Sequence, residues 1–205
     1  MALRVGWSFL FLLAISVAGY GLVFIFSSEF ANGSHMARQI ADRPLVTYVH
    51  FVFGPAALVL GAWQFWPAGK FSRPRGHRTI GQLYVLSCLL TGIAGLWMAF
   101  FSKGGMTAHV GFFLMAVLSV FTVVMGYLKA RDKQFSEHQN WMIRSYALIC
   151  SAITLRIQLG IGVPLLGYSF QDVYSVIAWA SWVPNILIAE WIIHYRGQVK
   201  RVPAE

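Results

Sequence analysis

The chain has 205 residues, 58% of them hydrophobic and 11% charged. A soluble domain carries about 25% charged residues, so a water-soluble globule is excluded; recurring runs of roughly 20 apolar residues, each long enough to cross a bilayer as a helix, mark a polytopic membrane protein. The formal charge of +9 does not point to nucleic acid, because the basic residues sit in short connections and at the ends, where they orient helices and meet anionic lipid.

The first apolar run, residues 7–26, follows a single Arg4. It is too long for a signal-peptide core and no A-x-A site follows, so a retained helix is predicted. Residues 27–43 read as a polar connection with an Asn32-Gly33 turn and an exposed His35. The second span is predicted over 44–66, ending in interfacial aromatics. A basic connection, 67–78, carries Lys70, Arg73, Arg75 and Arg78. The third span is predicted over 79–101, and a Lys103-Gly104-Gly105 turn leads to the fourth, 107–128. Residues 129–139 set Lys129, Arg131 and Lys133 against Asp132 and Glu137. The fifth span is predicted over 140–163, a turn with Pro164 and Gly167 follows, and the sixth covers 172–193. Arg196, Lys200 and Arg201 lie in the tail. Pro55 and Pro184 are expected to kink spans two and six, since a proline removes one helix bond and displaces a carbonyl. Cys88 and Cys150 lie in apolar runs without a CxxC or CxxCH pattern and read as packing residues.

One side of the membrane collects the N-terminus, the 67–78 and 129–139 connections and the C-terminus, whereas the other has Arg38, Arg43 and Lys103. The expectation is an all-α fold of six transmembrane helices, one domain over 1–205, with both termini cytoplasmic. Spans two to five are expected to form a four-helix core.

In that frame His50 and His109, on spans two and four, share the outer level, and His77 and His138, on spans three and five, share the inner one. Facing helices of a bundle are a usual place to build cofactor sites. Two imidazoles on opposite sides of a haem give a six-coordinate b-type centre suited to electron transfer. In line with His50 run Gly54, Ala57, Gly61 and Gln64; in line with His77 run Gly81, Tyr84, Cys88, Thr91 and Gly95. Small residues there leave room for a ring, and they equally let membrane helices pack closely. In line with His109 the bulkier Phe113, Val120 and Tyr127 follow. Intramembrane arginines cost about 2.5–3.5 kcal/mol each on insertion scales. Arg156 lies eighteen residues, five turns, after His138 and should reach the outer level near His50 and His109. Arg144 sits at the inner level and Arg78 follows His77 directly. Arg78, Arg144 and Arg156 would hold haem propionates or an anionic quinol through planar bidentate contacts; Arg78 and Arg144 could equally snorkel to headgroups, and Glu190 could neutralise one of them. Zinc is disfavoured, since it needs about four ligands converging within roughly 2.0–2.3 Å. No phosphate loop, Ser-His-Asp order or paired carboxylate site is visible.

The strings HFVFGPAALVLGAWQF, GHRTIGQLYVL and EHQNWMIRSYALICSAITLR resemble a bacterial family of predicted membrane proteins, domain of unknown function 2306, over about residues 45–160. The resemblance implies a multi-pass protein of the bacterial inner membrane and brings no activity with it. The placement of the histidines, rather than the sequence, is similar to that of cytochrome b561-type di-haem proteins. They ligate one haem from spans two and four and another from spans three and five, and pass electrons from ascorbate or quinol.

The leading expectation is therefore a membrane haem protein relaying single electrons, with one or two haem b groups, His77 and His138 on the inner iron, His50 and His109 on the outer, and a quinol or quinone as partner. A transporter is the first rival, with Arg156, Gln158, Asn185 and Glu190 lining a polar path and a homodimer extending so short a carrier. A non-catalytic assembly factor is the second.

Overall fold

In a computed structural model, residues 2–26, 35–65, 74–162, 167 and 169–199 are described, and all regular structure among them is helical. The elements are α1 (Ala2–Phe26), α2 (His35–Asp42), α3 (Pro44–Gln64), α4 (Pro74–Ala99), α5 (Gly105–Arg131), α6 (Phe135–Ile149), α7 (Ser151–Gly162), α8 (Phe170–Ala180) and α9 (Val183–Val199). The predicted Asn32-Gly33 turn, Lys70, Arg73, Pro164, Lys200 and Arg201 lie outside the described residues.

Among the described residues, five stretches are long and apolar enough to cross a membrane: Val5–Val23, Pro44–Gln64, Gly76–Ala99, Gly105–Arg131 and Phe170–Gln198. The expected fifth span, 140–163, falls short because it is two helices, α6 and α7, joined at Cys150. Large apolar side chains such as Phe9, Leu12, Val176, Leu187 and Trp191 are more than 60% exposed, an outward greasy belt that only hydrocarbon can cover without cost.

Helix α3 packs on α4, α4 on α5, α5 on α6, and α6 returns to α3, closing a ring of four. Helix α1 lies outside against α3 and α7, while α8 packs on α5 and α9 on α6. The ring is filled mainly by Ala57, Leu58, Ala62, Tyr84, Cys88, Val123, Met142 and Tyr146. A smaller cluster at the other end joins Ala99, Ala108, Phe112 and Ala178. A methyl group on Gly61 would overlap the ring of Tyr146 and come within 2.8 Å of Tyr84. The small residues along α3 therefore seat tyrosines at mid-bundle.

Three boundaries differ from the sequence reading. Residues 35–42, expected in a polar connection, form α2, because Thr47 Oγ1 donates to the carbonyls of Gln39 (3.0 Å) and Arg43 (2.9 Å) and holds the helix end. Gln39 is buried and donates to the Phe101 carbonyl (3.1 Å), and the Arg43 guanidinium lies 3.5 Å over the Phe101 ring. Helices α4 and α6 begin before His77 and His138, so both histidines lie in helical turns rather than ahead of them.

The sixth predicted span is divided at Ser181 and Trp182, just ahead of Pro184. Lacking an N–H, Pro184 cannot bond the Ala180 carbonyl four residues back, and its ring pushes on that turn. Polar side chains of the neighbouring helix take up the released oxygens. Gln158 Nε2 donates to Ala180 O at 3.0 Å and Thr154 Oγ1 to Ser181 O at 2.5 Å. Asn185 Nδ2 in turn donates to Ala147 O and to Thr154 Oγ1, both at 3.2 Å. By contrast Pro55 lies inside an unbroken α3.

Candidate functional site

Ring order sets α3 across from α5 and α4 across from α6, so the two predicted histidine pairs belong to the two diagonals. On the α4–α6 diagonal the register is fixed by a hydrogen bond of 2.9 Å between Tyr84 Oη and Ser145 Oγ. His77 lies seven residues before Tyr84, and His138 seven before Ser145. Two turns back along both helices, about 10 Å, therefore bring the two histidines to one layer. They are within electrostatic reach of each other there.

His77 is exposed in the first turns of α4, and its carbonyl accepts from Gln64 Nε2 at 2.8 Å, which ties this end of α4 to the end of α3. His138 is half-buried, with Nδ1 2.8 Å from the carbonyl oxygen of Gly126 on α5. A carbonyl can only accept, so Nδ1 carries a proton, and Nε2 is the nitrogen that this bond leaves for another partner. A backbone carbonyl holding one ring nitrogen while the other is left for a metal is the usual support of a ligating histidine.

The α3–α5 diagonal is arranged differently. A methyl group on Gly95 would lie 3.7 Å from the Ala116 Cβ and also 3.7 Å from the ring of His50. His50 thus shares its layer with Ala116, and His109 is two turns, about 10 Å, nearer the helix end. Its Nε2 meets the carbonyl of Ser102 at 2.8 Å, whereas His50 Nδ1 meets that of Thr91 at 3.2 Å. The structure does not bring His50 and His109 to one point.

The three arginines part company. Arg78 is exposed beside His77. Arg144 is paired with Glu190 on α9, with Nε to Oε1 at 2.5 Å and Nη2 to Oε2 at 2.9 Å, and it also lies 4.7 Å over the Trp141 ring. Glu190, expected to neutralise one of these arginines, is thus the partner of Arg144. Arg156 is half-buried on α7, beyond the end of α6. The break at Cys150 intervenes, so no continuous helix face joins it to His138.

The polar path of a carrier was expected from Arg156, Gln158, Asn185 and Glu190. Gln158 and Asn185 donate to backbone carbonyls around the two helix breaks, and Glu190 pairs with Arg144. Thr154 was missed in the sequence, although its place four residues before Gln158 puts both hydroxyl and amide on one side of α7. Among the described residues, no group of three or more His, Cys, Asp or Glu is placed to hold a bare metal ion.

A family model described as a predicted membrane protein (DUF2306) matches residues 47–193. Neither a curated protein nor a solved structure matches the chain.

Proposed function

The chain belongs to that family of predicted membrane proteins, DUF2306, and from this premise we propose that it is a b-type haem protein passing single electrons in the bacterial inner membrane. Its helices make six spans, the fifth being α6 with α7, and both termini are cytoplasmic, as the Lys and Arg distribution requires. The observation that carries the reading is the shared layer of His77 and His138 on one diagonal of the ring, set by the Tyr84–Ser145 hydrogen bond.

The residues present fit a haem at that layer and not at the second. His138 offers Nε2 because Gly126 holds Nδ1, His77 stands in the same layer on the opposite helix, and Arg78 beside it would hold a propionate. Held by these two histidines, a haem would supply reversible one-electron chemistry. Tyr84 and Tyr146 close the space deeper in the bundle, which bounds the site on the membrane side. The reading is thus of one haem, at the end of the bundle that the charge count makes cytoplasmic, with quinol or a soluble carrier as donor.

The test is an oxidised-minus-reduced absorption spectrum of detergent-purified protein expressed with ample haem. A sharp low-spin b-type signal at one haem per chain is expected, lost in His77→Ala and in His138→Ala and retained in His50→Ala and His109→Ala. Folded wild-type protein without colour overturns the proposal. Reporter fusions at both termini test the topology, and an outward-facing end would refute it.

A further inference from the structure

Helices α3 and α4 pack side by side, and their outer seam leaves a groove of about 470 Å³. It is lined by Val46 and Val49 of α3, by Leu90, Ala94 and Trp97 of α4, and by Phe100 just past the end of α4. Ala94 is buried and forms the floor, while Trp97 and Phe100 are more than half exposed and form the rim. Every lining residue is apolar. From Leu90 to Phe100 the groove follows α4 for ten residues, a length of about 15 Å. That is half of the roughly 30 Å hydrocarbon core of a bilayer. The groove is one leaflet deep.

One end of the groove lies where α3 begins and α4 ends, and a fixed cation stands there. Arg43 directly precedes α3, and its guanidinium lies 3.5 Å over the ring of Phe101, the neighbour of Phe100. Its Nη1 is 3.4 Å from Gln39 Oε1 and 3.8 Å from Asp42 Oδ2. Gln39 is itself tied to the Phe101 carbonyl at 3.1 Å, so the arginine is held against the end of α4. Both polar contacts use Nη1, and the side chain is 29% exposed, which leaves Nε and Nη2 to donate outward. Lys103 is turned to Phe170 of α8 at 5.8 Å, and Asp172 of α8 is bound to Ser169. Among the described residues, Arg43 is the cation beside the groove.

Walls of carbon offer a polar body no hydrogen bond, whereas a hydrocarbon chain regains the dispersion contacts that an unfilled slot forfeits. A guanidinium meets a phosphate with two parallel N–H···O bonds. The depth separates an acyl chain from a helix of a second copy, which would meet such a seam over a full span of about 20 residues. We propose that the groove between α3 and α4 seats one acyl chain of an anionic phospholipid and that Arg43 binds its phosphate. A zwitterionic headgroup carries a cation of its own beside the phosphate, which the charge of Arg43 repels. The site lies at the opposite end of α4 from His77 and does not depend on haem.

The experiment is native mass spectrometry of the full-length protein, delipidated in detergent and titrated separately with dioleoylphosphatidylglycerol and dioleoylphosphatidylcholine. One phosphatidylglycerol per chain is expected, held about tenfold more tightly than phosphatidylcholine. Arg43→Gln should abolish that preference and leave the two lipids binding alike. Ala94→Leu fills the floor of the groove and should weaken phosphatidylglycerol by about tenfold. Where Ala94→Leu does not fold, Trp97→Ala serves, because it removes a wall at the exposed rim; retention should again fall. Wild-type protein that holds the two lipids equally overturns the proposal, as does an Arg43→Gln variant that keeps the preference. Groove variants that bind as wild type does overturn it too. A lipid-free dimer of the wild type that Ala94→Leu splits would give the groove to a second copy, and would equally overturn it.

Discussion

The side-chain amide of Gln158 sits 3.0 Å from the carbonyl oxygen of Ala180 and replaces the bond that Pro184, four residues further on, cannot make. A proline in one helix and a glutamine in another are thereby a single structural unit, although 26 positions separate them in the chain.

This coupling is measurable. Gln158→Leu strands a carbonyl in a setting with little water and should cost about 1–3 kcal/mol. In a Pro184→Ala background the alanine N–H can restore the helical bond, so the same substitution should cost markedly less. A double-mutant cycle on reversible unfolding in mixed micelles reads the difference. Equal costs in both backgrounds would show that the amide is not standing in for the lost bond.

The Arg144–Glu190 pair makes a second cycle. It is bidentate, but the Glu190 side chain is 48% exposed, so its coupling should stay within about 1 kcal/mol and shrink in high salt. Arg144→Gln should lower stability slightly and leave haem per chain unchanged, because Glu190 already occupies the guanidinium. Loss of haem in this variant would return Arg144 to propionate duty.

Two glycines should behave in opposite ways. Gly61→Ala drives a methyl group into Tyr146 and Tyr84 and should destabilise by about 1–3 kcal/mol. Gly160→Ala meets no atom within 4 Å and should gain up to about 1 kcal/mol from helix propensity. Thermal unfolding of the two variants side by side decides whether the tyrosine layer is as tight as described.

His109→Ala removes the 2.8 Å bond to the Ser102 carbonyl and should cost about 1 kcal/mol, with no change in the absorption spectrum. A lost haem signal would place His109 back among the iron ligands.

The long apolar helices were legible because hydrocarbon demands one property over a whole span, and Pro44–Gln64 lies within two residues of its predicted bounds. The division of the fifth and sixth spans was less so. Pro184 announced a kink, yet nothing local tells that its stranded carbonyl will be met by Gln158 rather than by lipid-exposed distortion. Helix α2 was hidden because its fixing bonds come from Thr47 and Phe101, outside its own segment. For the candidate site, alternation of spans assigns His77 and His138 to one end, and the Tyr84–Ser145 bond sets the register of the two helices that carry them. Alternation alone could not separate His50 from His109, since a level counted from span ends is blind to shifts of two turns. That information resides in the carbonyl each one meets, that of Thr91 within α4 for His50 and that of Ser102 beyond its end for His109.

The bond from Gln39 to the carbonyl of Phe101 joins positions 62 apart, and it has a consequence for biosynthesis. At ordinary synthesis rates the acceptor emerges roughly 3–12 s after the donor. Until then the short helix has no dock on the α4–α5 turn, and the segment that becomes α2 must wait at the membrane surface. The order of events is therefore written into the fold: α4 must be made through Phe101 before the earlier α2 can be latched onto its end.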